Sequence, residues 1–410
     1  MKRLLPGTAF LLQAFPNFCL FYIETPNRAG LINSMRNLIL SLVLFVLCAE
    51  CAAQDISKID RNFEPRKIGN VEFRFYDAKN APFKVEGLPW RREGGGYSRL
   101  PDGVTAENAS RGVVGLCGHA SGAAIRFATD SKSVAVRYVT NGSGIMGHMA
   151  RSGSSGFDLY LRDENGRYAF VKNFHQRNAA EMGKIPYEEL GANFSESKMR
   201  EFALFLPRYC GVKSVEIGVL PGSEIKPPAP HKVAKPIVFY GSSITQGGCA
   251  SRPATVYTGK LCRELDAEEI NLGFSGNAKG EDILAERIGD IDMSIFVYDY
   301  DYNAPSTDHL EKTHERFFKI FRKKRPDTPV IMMTRCSWPS ADRVAAIRRT
   351  YENAVKAGDK NVYFIDCSKI FEPYGGIAEC TVDFCHPTDL GFHAMYEAVL
   401  PVAKKILEEK

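Results

Sequence analysis

From Lys235 onward, short apolar, β-rich runs alternate with amphipathic stretches, and this pattern restricts the fold more than any other feature of the chain. The runs cover 237–240, 269–272, 294–298, 330–334 and 362–365. The amphipathic stretches cover 256–265, 282–288, 309–323, 341–357 and about 390–408. Strand–helix alternation at this spacing predicts a parallel sheet with helices on both faces. Open sheets of that kind bind ligands at the carboxyl ends of their strands. The loops after the strands are therefore where chemistry is expected.

Four of those loops carry polar residues of a matching kind. The first run, Ile237-Val238-Phe239-Tyr240, stops at Gly241-Ser242-Ser243. Glycine lets the chain turn there without a Cβ penalty, so that Ser243 projects into a cleft. The second run leads into Asn271-Leu272-Gly273-Phe274-Ser275-Gly276-Asn277, and the third into Asp299-Tyr300-Asp301-Tyr302-Asn303. Asp383-Phe384-Cys385-His386-Pro387 precedes the last helix, which Pro387 helps to start. The three-residue spacing lets the Asp383 carboxylate hold one imidazole nitrogen of His386 while the other faces the cleft. A neutral histidine so held can take a proton from a serine near pH 7. Read singly, Asp383 is better taken as a helix cap and His386 as a core histidine; a serine loop on the same sheet edge reverses that balance in favour of the catalytic reading.

Upstream, short segments with period-two alternation and turn residues between them run from Val71 to Val219. Examples are 71–76, 123–127, 134–139 and 215–219, with a hairpin turn at Asp163-Glu164-Asn165-Gly166. They predict an antiparallel β-sandwich of the jelly-roll kind over about 60–228. Lys226-Pro227-Pro228-Ala229-Pro230 is a stiff linker, and the boundary falls at 229–234, with the second domain over 235–410. Gly142-Ser143-Gly144-Ile145-Met146-Gly147 matches GxGxxG, but no helix follows to receive a pyrophosphate. The loop over 142–156, with His148 in it, is either a flexible hairpin loop or part of a substrate rim. His119, His148 and Arg99 are the candidates for a contribution of this domain to the site.

GSSITQG, NLGFSGN, the Asn303 loop and DFCHP together resemble the first, second, third and fifth blocks of the SGNH, or GDSL-type, hydrolase superfamily. Gly156-Phe157-Asp158-Leu159-Tyr160 resembles the Gly-x-Asp-Leu-Tyr signature of a β domain that precedes some of these hydrolases, and 248–253 (GCASRP) resembles the same subgroup. The resemblance spans about 65–410 and implies a flavodoxin-like hydrolase domain. It implies Ser243 as nucleophile, His386 as general base and then acid, and Asp383 as the group that orients His386. It also implies an oxyanion hole made of the backbone N–H groups of Ser243 and Gly276 and the side-chain amide of Asn303. Three positions depart from the family pattern: Ser242 where Asp is usual, Tyr302 for the usual Gly and Ala304 for the usual Asp. Asp301 is the alternative orienting acid.

The resemblance further implies a serine esterase that removes short-chain, acetyl groups from carbohydrates, with a small-molecule or polysaccharide ester as substrate. A lipase or lysophospholipase is the second reading, and a carbohydrate-binding protein with a lapsed hydrolase domain the third. A net charge of +5, with FRKKRP at 321–326 fitting the basic last turn of a helix, argues against nucleic-acid binding. No cofactor motif survives scrutiny, and without a CxxC pair or HExxH no zinc motif is present. Asp299, Asp301 and Asn303 open like a calcium loop, but Ala304 and Leu310 replace the glycine and glutamate such a loop needs. Residues 1–53 read as a leader and signal peptide. Met35-Arg36-Asn37 opens the signal, a run over 38–49 too short to span a bilayer follows, and a small-residue cleavage site lies near Ala53. The expectation is a secreted or periplasmic protein with no stable membrane insertion after cleavage. Export permits disulfides; Cys380 and Cys385 are close enough to bridge, or are free buried thiols.

Overall fold

The computed structural model describes residues 65–92 and 94–409, so the expected leader and signal peptide lie outside the described residues. From Pro65 onward the chain packs as one unit. The upstream segments form two antiparallel sheets. The first runs, in spatial order, β1 (Arg66–Ile68), β2 (Val71–Asp77), β10 (Gly211–Val219), β5 (Ser133–Asn141) and β8 (Tyr187–Asn193). The second runs β11 (Ile225–Lys226), β4 (Ala124–Thr129), β9 (Arg200–Phe205), β6 (Phe157–Arg162) and β7 (Tyr168–Phe174), with β3 (Lys84–Glu86) beside β4. Two short helices, α1 (Arg111–Leu116) and α2 (Arg151–Ser154), lie in the connections.

Alternate residues of both sheets meet in one core, among them Ile125, Phe127, Val134, Val136, Phe157, Leu159, Phe202, Leu204, Val215 and Ile217. Much of the other face of the second sheet is covered by protein, though Phe170 at its edge is exposed. Ala124, Tyr160, Ala203 and Phe205 pack on Ala254 from beyond the linker. Arg126, which the alternation turns outward, is buried there and paired with Glu86 at 3.1 Å and Glu201 at 2.5 Å. The period-two pattern separates the two faces correctly, but the polar one meets protein instead of water.

Beyond the linker, β12 (Val233–Gly241), β13 (Ala267–Gly273), β14 (Ile295–Asp299), β15 (Val330–Met333) and β16 (Val362–Ile365) form an all-parallel sheet. Its order is β13-β12-β14-β15-β16, which is the flavodoxin-like order when the strands are counted from β12. The helices are α3 (Ser243–Gln246), α4 (Tyr257–Leu265), α5 (Asp282–Ile288), α6 (Thr307–Lys324), α7 (Ala341–Lys356), α8 (Ile377–Cys380) and α9 (Asp389–Glu408). Val238, Tyr240, Phe296, Tyr298 and Met332 face α5, α6 and α7 through Leu284, Phe317, Phe321 and Ile347. Ile237, Phe239, Val297 and Ile331 face α4 and α9 through Tyr257, Leu261, Phe392, Met395 and Val399. Cover on both faces is why most of these strands read as near-continuous apolar runs; β13 is the exception, with Glu269 and Asn271 buried in it.

The linker separates the two parts in sequence but not in packing. Leu100, Val104 and Val113, from upstream of it, sit in the core of the parallel sheet with Ile270, Phe274 and Ala278. Arg208 pairs with Glu269 through two bonds of 2.7 and 3.1 Å, with both side chains buried. His231 bridges Glu86 at 2.8 Å and Asp266 at 3.0 Å. All eight cysteines among the described residues, Cys380 and Cys385 included, are free. Among the described residues no helix is long and apolar enough to cross a membrane.

Candidate active site

Ser243 opens α3 just past the end of β12. The turn is held by a capping box. Ser242 Oγ accepts from the Ile244 amide at 3.1 Å, and the Ser242 amide donates to Thr245 Oγ1 at 3.2 Å. Ser242 therefore supplies the helix cap, a task either serine or aspartate performs. Gly241 is required for space: a Cβ there would lie 2.1 Å from Thr245 Oγ1 and 2.2 Å from the Asp299 carbonyl oxygen. β12 and β14 pair side by side there, with Gly241 opposite Asp299, and the nucleophile turn is pressed against that pair.

The four polar loops do meet at the carboxyl edge of the sheet. Ser243 Oγ lies 3.0 Å from His386 Nε2, and His386 Nδ1 lies 2.8 Å from Asp383 Oδ2. Asp383 Oδ1 accepts the backbone N–H groups of His386 at 2.7 Å and Cys385 at 3.1 Å. Burial pushes the Asp383 carboxyl up, but these amides and the His386 ring outweigh it and hold it below the usual carboxylate range. Asp301 turns the other way. Its carboxylate is buried against Arg343 at 2.7 Å and Arg335 at 3.4 Å.

Asn303 and Gly276 are also adjacent, in an arrangement the sequence does not disclose. The Gly276 amide donates to Asn303 Oδ1 at 3.1 Å, and Asn303 Nδ2 donates to the Phe274 carbonyl at 2.8 Å. One Nδ2 hydrogen of Asn303 stays available, while the Gly276 N–H is engaged. The Ser243 amide, at the first position of α3, has no partner among the described residues.

Several residues that fix this geometry carry no sequence signal of their own. Gln246 accepts the Ser275 amide at 2.9 Å and donates to the Arg208 carbonyl at 3.0 Å, tying the nucleophile helix to the Gly276 loop and to the β domain. Tyr209 donates its hydroxyl to the Ser243 carbonyl at 2.8 Å. Tyr302, in place of the usual Gly, accepts the amides of Cys336 and Ser337, both at 2.8 Å, and so pins the loop after β15. That loop presents Trp338, which is 66% exposed beside Phe384, 54% exposed, with ring centroids 6.3 Å apart. Both aromatics have positive φ, 49° and 61°, a conformation that costs a bulky residue energy and clusters at functional sites.

The β domain reaches the same edge. The rings of His148 and His386 lie 5.4 Å apart. His119 sits 3.1 Å from Gln246 and is pushed down to about 4, chiefly by burial and also by Arg99. Arg99 is buried and holds the carbonyls of Asn271 at 3.1 Å and Gly273 at 2.6 Å, bracing the end of β13. The two sequence signatures, GFDLY and the SRP that follows Cys249-Ala250, meet across the interface. Asp158 is fully buried, accepts the Ala254 amide at 3.0 Å and the Asn173 side chain at 2.9 Å, and lies 3.5 Å from Arg252.

Fold and site together define a hydrolase built on a flavodoxin-like parallel sheet, with an antiparallel β domain packed against it. The comparisons with known proteins agree. Residues 234–404 match the GDSL-like lipase/acylhydrolase family, and residues 73–225 match the N-terminus of SGNH-hydrolase-type esterases. Among solved structures, a protein from Bacteroides ovatus named as a GDSL-like lipase is 30% identical with a TM-score of 0.71, the match covering 82% of this chain and 98% of that one. A salicylyl-acyltransferase from a tetracycline biosynthetic pathway is 19% identical with a TM-score of 0.67, over 82% and 98% of the two chains. A family two carbohydrate esterase from Clostridium thermocellum, in complex with cellohexaose, is 13% identical with a TM-score of 0.51, over 70% and 93%. No curated protein matches. The chain belongs to the GDSL-like lipase/acylhydrolase family, in the form that carries the SGNH-type esterase N-terminus, and is an ester hydrolase.

Proposed function

We propose that this protein removes short-chain, principally acetyl, groups from carbohydrate esters through an acyl-enzyme on Ser243. The observation that carries the reading is the unbroken relay Ser243–His386–Asp383, with contacts of 3.0 and 2.8 Å. Ser243 Oγ attacks the ester carbonyl carbon and passes its proton to His386 Nε2. Asp383 accepts from Nδ1, which fixes the tautomer and stabilises the imidazolium. The oxyanion takes the Ser243 N–H and the available Nδ2 hydrogen of Asn303. The Gly276 N–H joins only when Asn303 Oδ1 releases it. The sugar alkoxide leaves with the proton from His386. Water, activated by the same nitrogen, then releases the acid and restores Ser243.

Two exposed rings beside the relay favour a sugar as the group that carries the ester. Trp338 and Phe384 offer apolar faces at the surface, where a pyranose stacks through its C–H side. The relay opens toward its acid end, with Asp383 38% exposed and His386 22% exposed, while Ser243 lies deeper. Secretion to the periplasm or beyond, by the signal peptide read at about 35–53, fits a polymeric substrate; the N-terminal sequence of the mature protein tests it. Acetate release from a panel of acetylated polysaccharides tests the activity. Ser243→Ala is expected to lose it by several orders of magnitude while remaining folded. Turnover confined to long-chain nitrophenyl esters would replace this reading with a lipase, and equal activity of Ser243→Ala would remove the nucleophile.

A further inference from the structure

Beside the relay lie two side chains that ester hydrolysis does not use, His148 and Cys249, set against one that it does. One nitrogen of His148, the sulfur of Cys249 and one nitrogen of His386 all lie within 4.8 Å of one another. They come from three loops, 101 and 137 residues apart in sequence, so no metal-ligand spacing reveals them. Cys249 is buried and has φ 73°, and its turn is crowded: a Cβ on Gly248 would meet the Tyr209 hydroxyl at 3.0 Å and His386 Cδ2 at 3.2 Å. The backbone is thus strained where it sets the thiol against the histidine.

We propose that His148, Cys249 and His386 form a site for a thiophilic divalent cation such as zinc, and that its occupation takes His386 Nε2 away from Ser243. Tetrahedral zinc, with bonds of about 2.0–2.3 Å, keeps its ligand atoms about 3.3–3.8 Å apart. The three side chains close to that size by small rotations, and His148 is exposed and free to make the largest. His386 Nδ1 is held by Asp383, so Nε2 is the ligand nitrogen. A histidine that gives its second nitrogen to a carboxylate is the usual arrangement at metals, since the carboxylate fixes the ring and raises its basicity. Thiolate and imidazole ligands select zinc and similar ions over magnesium or calcium. Binding releases the thiol proton to solvent and forms the metal–sulfur bond. Three protein ligands leave a fourth position for water or Ser243 Oγ. The site makes the hydrolase reversibly sensitive to zinc.

The inhibition rests on the role of His386 proposed above, but the binding does not, and the test separates them. The full chain is titrated with cobalt(II), whose bond to a thiolate gives a near-ultraviolet charge-transfer band. One equivalent is expected to produce the band in the wild type and in Ser243→Ala, and zinc to abolish it. Cys249→Ser should lose the band, and His148→Ala should weaken binding at least tenfold. No band, a band unchanged in Cys249→Ser, or equal affinity in His148→Ala overturns the site. In the short-chain ester assay, zinc should inhibit the wild type and EDTA restore it. Cys249→Ser should keep the zinc-free rate, and both Cys249→Ser and His148→Ala, each measured against its own zinc-free rate, should need at least tenfold more zinc for the same fractional inhibition. A wild type that binds cobalt yet turns over unchanged in zinc refutes the inhibition. A chain with no zinc-free ester turnover refutes the proposed function, while the cobalt band still decides the site.

Discussion

Replacing Asp299 with asparagine tests how the nucleophile turn is supported. Asp299 ends β14 beneath Ser243 and is fully buried. The Tyr257 hydroxyl at 2.8 Å and Thr245 Oγ1 at 3.0 Å both approach Oδ2, and Oδ1 has no partner among the described residues. Burial pushes its carboxyl up from 3.8 to about 7, against the pull of those two hydroxyls. The sign follows from linkage. Between these values the unfolded chain is ionised while the folded protein keeps the proton, so the contribution is full below about 3.8 and is lost as pH rises through about 7. About three pH units at 1.36 kcal/mol each make about 4 kcal/mol, of which about 2.5 kcal/mol falls between pH 5 and 8. The asparagine of the Asp299→Asn variant does not titrate, and whatever its amide costs in the Oδ1 position is the same at every pH. Urea unfolding of both proteins at pH 5, 6, 7 and 8 should therefore show the variant gaining about 2.5 kcal/mol on the wild type across that range, with equal m-values. Parallel stability curves would mean that Asp299 is ionised in the folded protein, and the account of a neutral carboxyl under the nucleophile would be wrong.

Other outcomes follow from the same geometry. Asn303→Ala should lower kcat by about 10²–10³, about 2.7–4 kcal/mol. Asn303→Asp, which keeps the acceptor for Gly276 but puts a negative charge where the oxyanion forms, should be slower than the alanine variant; equal or faster turnover would take Asn303 out of the hole. Arg208→Met leaves Glu269 buried without its cation and should destabilise by about 3–5 kcal/mol; chemical unfolding with a loss under about 1 kcal/mol would show that the ion pair does not join the two parts. Trp338→Ala should raise KM for an acetylated oligosaccharide several-fold and leave nitrophenyl acetate kinetics unchanged. A parallel loss on both substrates would mean that Trp338 supports the relay instead of the sugar.

Much of this architecture is written in the order of residues. Runs buried on both faces are largely apolar, so the parallel strands and their helices stand out in sequence, β13 least because Glu269 and Asn271 are buried in it, and the loops that follow them are then fixed in kind. Ser243, Asp383 and His386 could be singled out because each sits beside a strand or helix boundary that sequence marks. Local patterning stops at the polar residues that work across distance. Arg126, Arg208 and Asp158 look like solvent-facing or loop residues until the second sheet is seen lying on the hydrolase part, where burial makes their pairing compulsory. The engagement of Gly276 with Asn303 depends on distances of about 3 Å between loops 27 residues apart.

Sequence alone, then, determined the succession of elements, a parallel sheet with helices on both faces and the identity of the loops that carry chemistry, because hydrophobic periodicity and turn residues act within a few neighbours. Tertiary structure alone decided that residues upstream of the linker complete the core and rim of the hydrolase part. It also decided that Tyr302 pins the loop bearing Trp338, and that His148 and Cys249 stand beside His386. These depend on side chains brought together from distant positions by the packing of whole sheets, and no local pattern encodes such a distance.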